Sequence, residues 1–498
     1  MPAIVTNKFR IHNAEQFKES FSEASPNVYY MMLGRPQAYA TSTRGDSRTE
    51  NEGTDLAPIT PADDIVTEFY NFDEGIAAKK LGSSDTAYVV PRRNWATGTV
   101  YDYYRHDYGN RITGTTNTQQ ANSGATGLYD ATFYVVSSTY NVYKCLDNNS
   151  NVASTVEPTG TSTSILSTGD GYKWKYLYTL SASEQTNFLS TDFMAVTTNA
   201  TVSAAAVDGA LEIVKVKTAG SAYDVSGGAT SGTITAVPIR GDGSGGVCSV
   251  TLASGAVSSV TVTAAGTGYT FAYIRSADIV AATNAGGNGT GTELDVMIPP
   301  KGGHGYNAVN ELGGFYVMMN VNFEGVESAS GSDVSAANDF RKIALIRDPK
   351  SGGSAASAAT LRATKAIRFA SSPTPGTFAA DEEINQATTG AVGKVVEWDS
   401  TNRILYYIQT RFNDEGVDSN GNLTAFSGAN VVTGQGGSSP TGTPDTSDSS
   451  TVNGTTFASG YSASELDADD GDIIYIENRA PITRATDQTE NVKLIVEF

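Results

Sequence analysis

The sequence predicts a mainly β, multidomain fold built from sandwich- or barrel-like modules with few short helices. Its 498 residues correspond to about three or four domains, each large enough to bury its own core. The chain holds 25 tyrosines and 51 glycines, a balance that suits pleated surfaces joined by many turns. Helical periodicity is scarce, whereas short apolar or alternating segments recur along the whole chain.

The first predicted elements are a short helix and a buried strand. Asn13 and Gln16 have the spacing of a capping box, and Phe17 and Phe21 would then share one face of the helix. The segment Asn27–Leu33 is apolar on both faces and stops at a Gly-Arg-Pro turn, which predicts a fully buried strand.

Further strands are predicted at residues 88–90, 131–146 and 172–180. In the last of these, four aromatic residues alternate with other side chains: Tyr172, Trp174, Tyr176 and Tyr178. A strand has a side-chain period of two, so all four should lie on one face and anchor a hydrophobic layer. Two strands close the chain, at residues 473–477 and 492–498.

Two stretches differ from the rest in composition. Residues 208–300 are dominated by small residues and valine, and they contain two copies of an alternating strand followed by Ala-Gly-x-x-Tyr, at 213–223 and 260–269. Two copies are too few for a solenoid, so a small β-module is predicted. Residues 351–460 form a second module, whose Gly/Ser/Thr/Pro-rich end at 434–450 predicts a flexible connection.

Charge and composition exclude several classes of protein. The net charge is −20, and phosphate binding needs clustered basic residues, so nucleic acid is not expected as a partner. No apolar run approaches the roughly 18 residues that a membrane-spanning helix needs, and the N-terminus lacks the apolar core of a secretory signal. Two cysteines allow at most one disulfide, which favours a reducing cytoplasm during assembly.

Motifs that could carry chemistry have simpler interpretations. Gly241, Gly243 and Gly246 fit G-x-G-x-x-G, but a strand rather than a helix follows, which favours a hairpin loop. The acidic run at 467–472 lacks oxygen ligands at the first and third positions of a calcium loop, so a solvated acidic turn is favoured over a cation site. The neighbouring carboxylates at 382–383 have almost no specificity in a chain with 53 acidic residues. No catalytic residue, metal ligand or cofactor is predicted.

Two aromatic and basic segments are candidates for protein contacts. Arg92 and Arg93 precede Trp95, and arginine and tryptophan are enriched at the energetic centres of interfaces. An arginine fork that fixes a loop through backbone carbonyls explains the same pattern equally well. The tyrosine-rich segment 101–108 surrounds His106, for which an exposed loop that packs on a neighbouring subunit is favoured over acid–base catalysis.

Seven short stretches, taken in order, resemble one family. They are AIVTNKFR (3–10), LGRP (33–36), VPRRNW (90–95), VYKCLD (142–147), GDGYKWKYL (169–177), FRKIALIRDP (340–349) and the C-terminal 471–498. Together they are similar to the dimeric baseplate wedge subunit of T-even-type contractile-tailed bacteriophages. The last stretch is the most specific.

The resemblance implies a discontinuous base domain with a nested β domain, made of residues 1–207, 300–350 and 461–498, whose N- and C-terminal strands share a sheet. The stretches 208–300 and 351–460 would be inserted β-modules. It also implies a non-enzymatic structural protein of the virion tail baseplate. This protein would form a homodimer, bind other wedge proteins and move as a rigid body during tail contraction. Candidate interface or structural residues are Arg92, Arg93, Trp95, Tyr101, Tyr103, Tyr104, His106, Trp174, Tyr475, Glu477, Asn478, Arg479, Asp487 and Gln488.

The alternative is a receptor- or carbohydrate-binding tail adhesin, with the inserted modules contacting host-surface glycans. Such binding needs exposed aromatic platforms, and residues 208–300 contain few large aromatic residues, which counts against it. A tail-associated glycosidase is the third possibility, and no constellation of residues supports it.

Overall fold

A computed structural model describes residues 4–23, 27–39, 52–109, 112–113, 116–117, 121–324, 333–334, 338–411, 416–482 and 488–498. Strands make up 41% and helices 11% of the structure, which confirms the predicted mainly β class. The helices within the described residues are α1 (Asn7–Glu19), α2 (Ile65–Asp73), α3 (Ala182–Phe188), α4 (Ala200–Ala205), α5 (Ser276–Val280) and α6 (Ala308–Leu312). None of them is long and apolar enough to cross a membrane.

The strands are mostly short and are numbered along the chain. The first twelve are β1 (Tyr29–Gly34), β2 (Gly53–Thr54), β3 (Ala57–Pro58), β4 (Gly75–Leu81), β5 (Thr86–Pro91), β6 (Ile112–Thr113), β7 (Thr116–Asn117), β8 (Tyr134–Val136), β9 (Asn141–Asp147), β10 (Leu166–Ser167), β11 (Lys173–Thr179) and β12 (Phe193–Ala195). The next nine are β13 (Val214–Ser221), β14 (Gly232–Pro238), β15 (Arg240–Gly241), β16 (Ser244–Ala253), β17 (Ala256–Thr267), β18 (Ala272–Tyr273), β19 (Thr290–Val296), β20 (Tyr316–Glu324) and β21 (Phe340–Arg347). The remainder are β22 (Lys350–Ser351), β23 (Ser354–Ala355), β24 (Thr360–Arg362), β25 (Lys365–Arg368), β26 (Glu383–Gln386), β27 (Ala391–Asp399), β28 (Ile404–Ile408), β29 (Val432–Gly434), β30 (Thr441–Gly442), β31 (Thr451–Val452), β32 (Thr455–Thr456), β33 (Tyr461–Ser462), β34 (Asp472–Ile482) and β35 (Thr489–Glu497).

The chain divides into two compact units, each made of discontinuous segments. The first unit comprises Met1–Glu15, Ala87–Met318 and Ile495–Phe498. The second comprises Gln16–Thr86 and Met319–Leu494.

The predicted first helix begins earlier than its sequence suggested. Helix α1 starts at Asn7, so Asn13 lies inside it and is not its N-cap. The Thr6 hydroxyl accepts a hydrogen bond from the Phe9 amide, which satisfies one of the free donors of the first turn. The predicted aromatic pair is present, since the Phe17 and Phe21 rings meet edge to face with centroids 5.4 Å apart.

In the first unit, β11 and β9 form the centre of an antiparallel sheet in the order β10-β11-β9-β8. Three of the four predicted aromatic residues, Tyr172, Trp174 and Tyr176, pack in one buried cluster. Tyr178 packs in another cluster together with Leu177, because a register shift between Tyr176 and Tyr178 places an extra residue in β11. The prediction of a single face for all four rings is therefore wrong at Tyr178, since a β-bulge interrupts the alternation.

The two ends of the chain meet within the first unit. Arg10 of α1 donates from Nε to the backbone carbonyl of Phe498 and pairs with the Glu497 carboxylate. Its guanidinium also lies over the Phe315 ring, 3.7 Å from the centroid. The first unit is thus closed by side chains that come from the first and last segments of the sequence.

Residues 208–300 have a core of their own inside the first unit. Its buried side chains all fall between Leu211 and Val296, and its sheets are β13-β19, β14-β16-β17 and β15-β18. The two predicted repeats adopt the same local conformation: Gly220 and Gly266 both have φ near +67°, and the tyrosine three residues later is buried in each copy. A Cβ at either glycine would lie about 2.5 Å from backbone or side-chain atoms of the paired strand, which explains the repeated glycine.

The second unit is centred on an antiparallel five-stranded sheet in the order β24-β4-β1-β21-β34. Strand β1 covers Tyr29–Leu33 of the predicted strand Asn27–Leu33 and continues to Gly34; it is buried at every position, whereas residues 27 and 28 are half-buried and precede it. It lies between β4 and β21, and β34 pairs with the other edge of β21. Strands from the first and last fifths of the sequence therefore share this sheet. A second, seven-stranded sheet, β30-β29-β26-β27-β28-β25-β33, is built entirely from residues 365–462. The 434–450 tract supplies β30 to this sheet, although the sequence predicted a flexible connection there.

Candidate interface and structural sites

The Arg92–Trp95 loop is fixed to its own subunit. Arg93 donates from Nη1 and Nη2 to the backbone carbonyls of residues 129–131, and its guanidinium lies over the Tyr134 ring at 4.5 Å. Arg92 donates from Nη1 to the Ser190 carbonyl at 2.8 Å, and the Trp95 indole donates to the Ser154 hydroxyl at 3.1 Å. Arg93 therefore makes the carbonyl fork that was one of the two roles the sequence allowed, whereas Arg92 makes one carbonyl contact and donates from Nε to the Asn94 side chain.

Two of the predicted aromatic residues are interior packing groups. Trp174 is fully buried, stacks on Tyr172 with centroids 5.4 Å apart, and meets the edge of Tyr101 at 5.8 Å. The Tyr101 hydroxyl accepts from the Ala96 amide at 2.6 Å and so joins the Trp95 loop to this cluster. These side chains position the loop and offer no area to another subunit.

The tyrosine-rich segment continues as a contact with the 208–300 module. The Arg105 guanidinium holds Asp107 with two hydrogen bonds and also reaches Asp295, at 3.3 Å. His106 accepts at Nδ1 from the Ile298 amide, at 3.3 Å. On the same side, Lys215 of the module pairs with Asp147 at 2.5 Å, and its ammonium lies 5.1 Å from the Tyr103 ring. The segment that the sequence offered as a subunit contact thus secures the module to the rest of the first unit.

A buried carboxylate anchors the start of this segment. Asp102 is 1% exposed and accepts four hydrogen bonds from the amides and hydroxyls of Ser123 and Thr132. Burial alone would raise the pKa of Asp102, but these hydrogen bonds outweigh it and hold the pKa below its ordinary value. The carboxylate is therefore ionised and ties residues 121–132 to the tyrosine-rich segment.

Beneath Tyr104 lies a buried group of charges that the sequence analysis missed. Lys144 and Glu311 form an ion pair in which the side chains are 0% and 2% exposed. Glu311 also accepts from the Gly305 amide at 2.7 Å, and Lys175 lies 3.9 Å from Glu212. Lys144 of β9 and Lys175 of β11 are opposite each other in the sheet, and both side chains are buried. Lys144 in VYKCLD and Lys175 in GYKWKYL lie within strands rich in aromatic residues, and this pattern is the sequence signal that could have indicated the buried charges.

Desolvation dominates the electrostatics of this group, which we call the buried charge cluster (Lys144, Lys175, Glu212, His304 and Glu311). Burial lowers the pKa of Lys144, opposed by Glu311, and raises the pKa of Glu212, opposed by Lys175. Burial also lowers the pKa of His304 well below its ordinary value, with further lowering by Lys144 and Lys175. The His304 ring is therefore neutral, packs edge-on against Tyr104 at 4.9 Å, and within the described residues its Nδ1 has no hydrogen-bond partner.

In the second unit, the C-terminal candidate residues lie along strand β34. This strand is at the edge of the five-stranded sheet, and in the described part of the chain it pairs only with β21. The Tyr475 hydroxyl donates to Glu477 at 3.0 Å, and burial raises the pKa of Tyr475 to about 12. Asn478 donates to the Ile59 carbonyl at 3.0 Å, and Arg479 is half-buried beside it.

The last two candidates lie beyond this strand. Gln488 donates to Glu490 at 2.7 Å, near the start of β35. Asp487 lies outside the described residues.

The second unit contains its own buried ion cluster, formed by Arg35, Glu74 and Lys342. Glu74 accepts from Arg35 at 2.9 Å and from Lys342 at 2.6 Å, and all three side chains are less than 10% exposed. Arg35 follows β1 in the LGRP stretch, and Lys342 is paired with Gly34 across the β1–β21 ladder in the FRKIALIRDP stretch. Two of the stretches that resemble the wedge family therefore meet at one buried network.

The acidic run 467–472 is neutralised by partners. Asp469 pairs with Arg411, Asp470 with Lys350 and Asp472 with Arg347. Asp467 accepts from the amides of Gly352 and Gly353, at 3.0 and 2.7 Å. Among the residues that the structure describes, no group of three or more histidine, cysteine or acidic side chains is placed to hold a metal ion. Both cysteines are buried free thiols, in different clusters.

The glycine motif at 241–246 is a loop between strands, as predicted. It joins β15 to β16, and no helix follows it. The ring of Tyr269 covers the loop, and a Cβ at Gly243 would lie 2.5 Å from that ring. Glycine is therefore required here by close packing rather than by phosphate binding.

A protein-family model matches two segments of the chain. The family model described as Phage-Gp8, from bacteriophage T4 Gp8, matches residues 3–157 and 442–498. The two matched segments include the Arg92–Trp95 loop, the tyrosine-rich segment and strands β34 and β35. No curated protein matches the chain.

Proposed function

We propose that this chain, whose residues 3–157 and 442–498 match the Gp8 family of phage baseplate wedge proteins, acts as a homodimer within the wedge. The chain is a structural component of the tail baseplate. In the proposal, it binds a second copy and other wedge proteins through permanent contacts, and it assembles in the host cytoplasm before becoming part of the virion. Its contribution is mechanical, and no catalytic step is assigned to it.

The observation that carries the dimer proposal is the exposed edge of β34. The strand is 11 residues long, and most of its residues are half-buried or exposed although it belongs to a sheet with a buried core. In the described part of the chain, one edge of β34 has no partner strand, although β3 lies against part of it and Asn478 donates to the Ile59 carbonyl, and such an edge is a template for pairing with another chain. Four of the candidate residues, from Tyr475 to Arg479, lie on this edge, inside the segment that matches the family.

The modules support the proposed domain organisation. Residues 208–300 and 365–462 each enclose a separate hydrophobic cluster, which is the behaviour expected of insertions into a discontinuous base domain. Both lie mostly outside the matched segments. Rigid modules of this kind, joined to a base domain by short connections, are compatible with the proposed rigid-body motion during contraction.

Sedimentation velocity tests the dimer and its edge. The wild type should sediment as a species of twice the 52.1 kDa chain mass. Ile474 lies on β34 and is 42% exposed, and lysine at an edge strand blocks pairing, so Ile474→Lys should shift the protein to monomer. Ile65→Lys is the matched control, because Ile65 is 65% exposed in the same unit but lies on α2. A monomeric wild type, or a dimer that both variants leave intact, would contradict the proposal or its interface.

A further inference from the structure

The 208–300 module carries a pair of exposed aromatic rings. Of its large aromatic residues, Tyr223 and Tyr269 are buried in the module core, whereas Phe271 is 58% and Tyr273 is 40% exposed. The two exposed rings lie side by side, with centroids 5.4 Å apart and planes 39° from one another. The sequence suggested that this module lacks an exposed aromatic platform. The structure shows one, formed by Phe271 and Tyr273.

Two arginines flank the rings on the same face. Phe271, Tyr273 and Arg275 are exposed and alternate with the less exposed Ala272 and the buried Ile274, so the three side chains share the outer face of this segment. Arg240 of β15 is directly opposite Tyr273 in the β15–β18 ladder, which places it on that face as well. The rings and both guanidiniums thus form one continuous surface, the Phe271–Arg275 platform (Phe271, Tyr273, Arg275 and Arg240).

The platform is rigid because two carboxylates fix it from below and from the side. Asp278 is 6% exposed and accepts from Nε and Nη2 of both Arg240 and Arg275, at 2.9 to 3.4 Å. Asp242 accepts from the Thr270 amide and hydroxyl and from the Phe271 amide, which fixes the turn before the first ring. These hydrogen bonds lower the pKa of Asp242 to about 2, so the carboxylate stays charged at any physiological pH.

The free donors of the platform favour a carboxylate ligand. Arg240 and Arg275 are 46% and 55% exposed, and the carboxylates of Asp278 and Asp242 balance their two positive charges, so the platform attracts an anion through hydrogen-bond donors rather than through net charge. Within the described residues, Nη1 of each guanidinium has no hydrogen-bond acceptor. Planar guanidinium groups with free donors bind carboxylates in a fixed geometry.

The size of the platform favours a sugar over a protein. A stable protein interface buries roughly 800 Å² per partner around a hydrophobic core. In residues 208–300, all of which the structure describes, Phe271 and Tyr273 are the only large exposed apolar side chains, and small polar residues surround them. One pyranose ring needs only an aromatic face for its C–H groups and a few polar partners for its hydroxyls and carboxylate.

We propose that the Phe271–Arg275 platform binds carboxylated saccharides of the kind that bacterial surface polysaccharides display. The apolar face of the sugar ring stacks on Phe271 and Tyr273, and its carboxylate meets the free donors of Arg240 and Arg275. The module lies outside the segments that match the Gp8 family, so the shared assembly role does not account for this surface. The inference goes beyond the baseplate role and is independent of it.

The test uses the full-length protein with four acidic polysaccharides, namely polygalacturonate, alginate, hyaluronate and colominic acid, and with neutral dextran as the control ligand. Immobilised-ligand binding should show saturable capture by at least one acidic polysaccharide, none by dextran, and at least a tenfold weakening when the saccharide carboxyls are reduced. The double variant Phe271→Ala, Tyr273→Ala should weaken the binding at least tenfold. Arg240→Lys with Arg275→Lys should weaken it less than Arg240→Ala with Arg275→Ala, because lysine keeps the charge but loses the planar fork.

Tyr306→Ala is the matched control variant, since Tyr306 is 51% exposed in the same unit but lies away from the platform. It should bind as the wild type does, and all variants should keep the wild-type circular dichroism spectrum. Absence of binding to every acidic polysaccharide at millimolar sugar concentration would overturn the proposal, as would binding that survives removal of both rings. Photo-cross-linking from position 273 to another baseplate protein in intact tails would also overturn it and assign the platform to a protein contact.

Discussion

The Lys144–Glu311 pair allows a quantitative prediction about the buried charge cluster. Glu311→Gln keeps the size of the side chain and a carbonyl that can still accept from the Gly305 amide, but it removes the charge that compensates Lys144. Lys144 is fully buried, and Lys175 adds a second positive charge nearby. Removing one partner of a buried pair costs about 3–5 kcal/mol, because the other charge stays in the interior without compensation.

The matched control is the Lys217–Glu293 pair, in the same unit and with the same residue types. Its side chains are 48% and 59% exposed, so Glu293→Gln should cost at most about 1 kcal/mol. A double variant, Lys144→Met with Glu311→Gln, should recover most of the loss, because it removes both charges. The side chain of residue 311 can still accept the hydrogen bond from the Gly305 amide.

Hydrogen exchange followed by mass spectrometry measures these effects unit by unit, which a global unfolding curve of a chain with two units cannot do. Peptides from β9 and α6 should exchange between about a hundredfold and a few thousandfold faster in Glu311→Gln than in wild type, which is the same 3–5 kcal/mol. If Glu311→Gln accelerated exchange no more than Glu293→Gln, or if the double variant were no better than the single one, charge compensation by Glu311 would not be what stabilises this cluster.

Three other predictions concern single features. His304 is held neutral in the folded state, so the unfolded chain binds an extra proton below pH 6.5; the wild type should lose about 1.4 kcal/mol per pH unit below that value relative to His304→Leu, as measured by hydrogen exchange in peptides around residue 304 at pH 7.5, 6 and 5. Gly266→Ala should cost more than Gly268→Ala, by at least about 1 kcal/mol, in hydrogen exchange of peptides from β16 and β17. Both glycines have positive φ, but a Cβ at Gly266 meets the backbone of β16 at 2.5 Å and one at Gly268 meets nothing; equal costs would contradict the packing argument. Replacing residues 365–462 with a short Gly/Ser linker should leave a dimer in sedimentation. The deletion removes the whole seven-stranded sheet and keeps every strand of the five-stranded sheet that contains β34. A monomeric product would mean that the module is integral to the dimer.

Local pattern predicted the elements whose determinants are near in sequence. The apolar run that became β1, the strand β11 and the hairpin at Gly241–Gly246 follow from periodicity and turn residues alone. The errors arose where a neighbouring residue or an insertion changed the pattern. Thr6 caps α1 before Asn13 can, and one extra residue in β11 moves Tyr178 to the other cluster.

The candidate residues show a similar division. Arginine and tryptophan in the Arg92–Trp95 loop were recognised as important, and the structure shows the carbonyl contacts that Arg93 makes. Of the two acidic partners of Arg105, Asp107 is its near neighbour, but Asp295 lies 190 residues away and could not be read from the sequence, because nothing local indicates that residues 295–298 fold against this segment. The exposure of Phe271 and Tyr273 was equally hidden, since tyrosines at 223 and 269 in the same module are buried.

By itself, the sequence determined the β class and the approximate positions of the main strands. It also determined the resemblance to the wedge family, through an ordered series of short stretches. Each of these depends on residues that are close together in the chain. The tertiary structure alone decided which polar side chains are desolvated and with which partners. Lys144 meets Glu311 and Glu74 meets Lys342 across 167 and 268 residues, and such pairings exist only once the sheets have assembled. The free energy of a charge depends on what surrounds it, and that environment is set by distant parts of the chain.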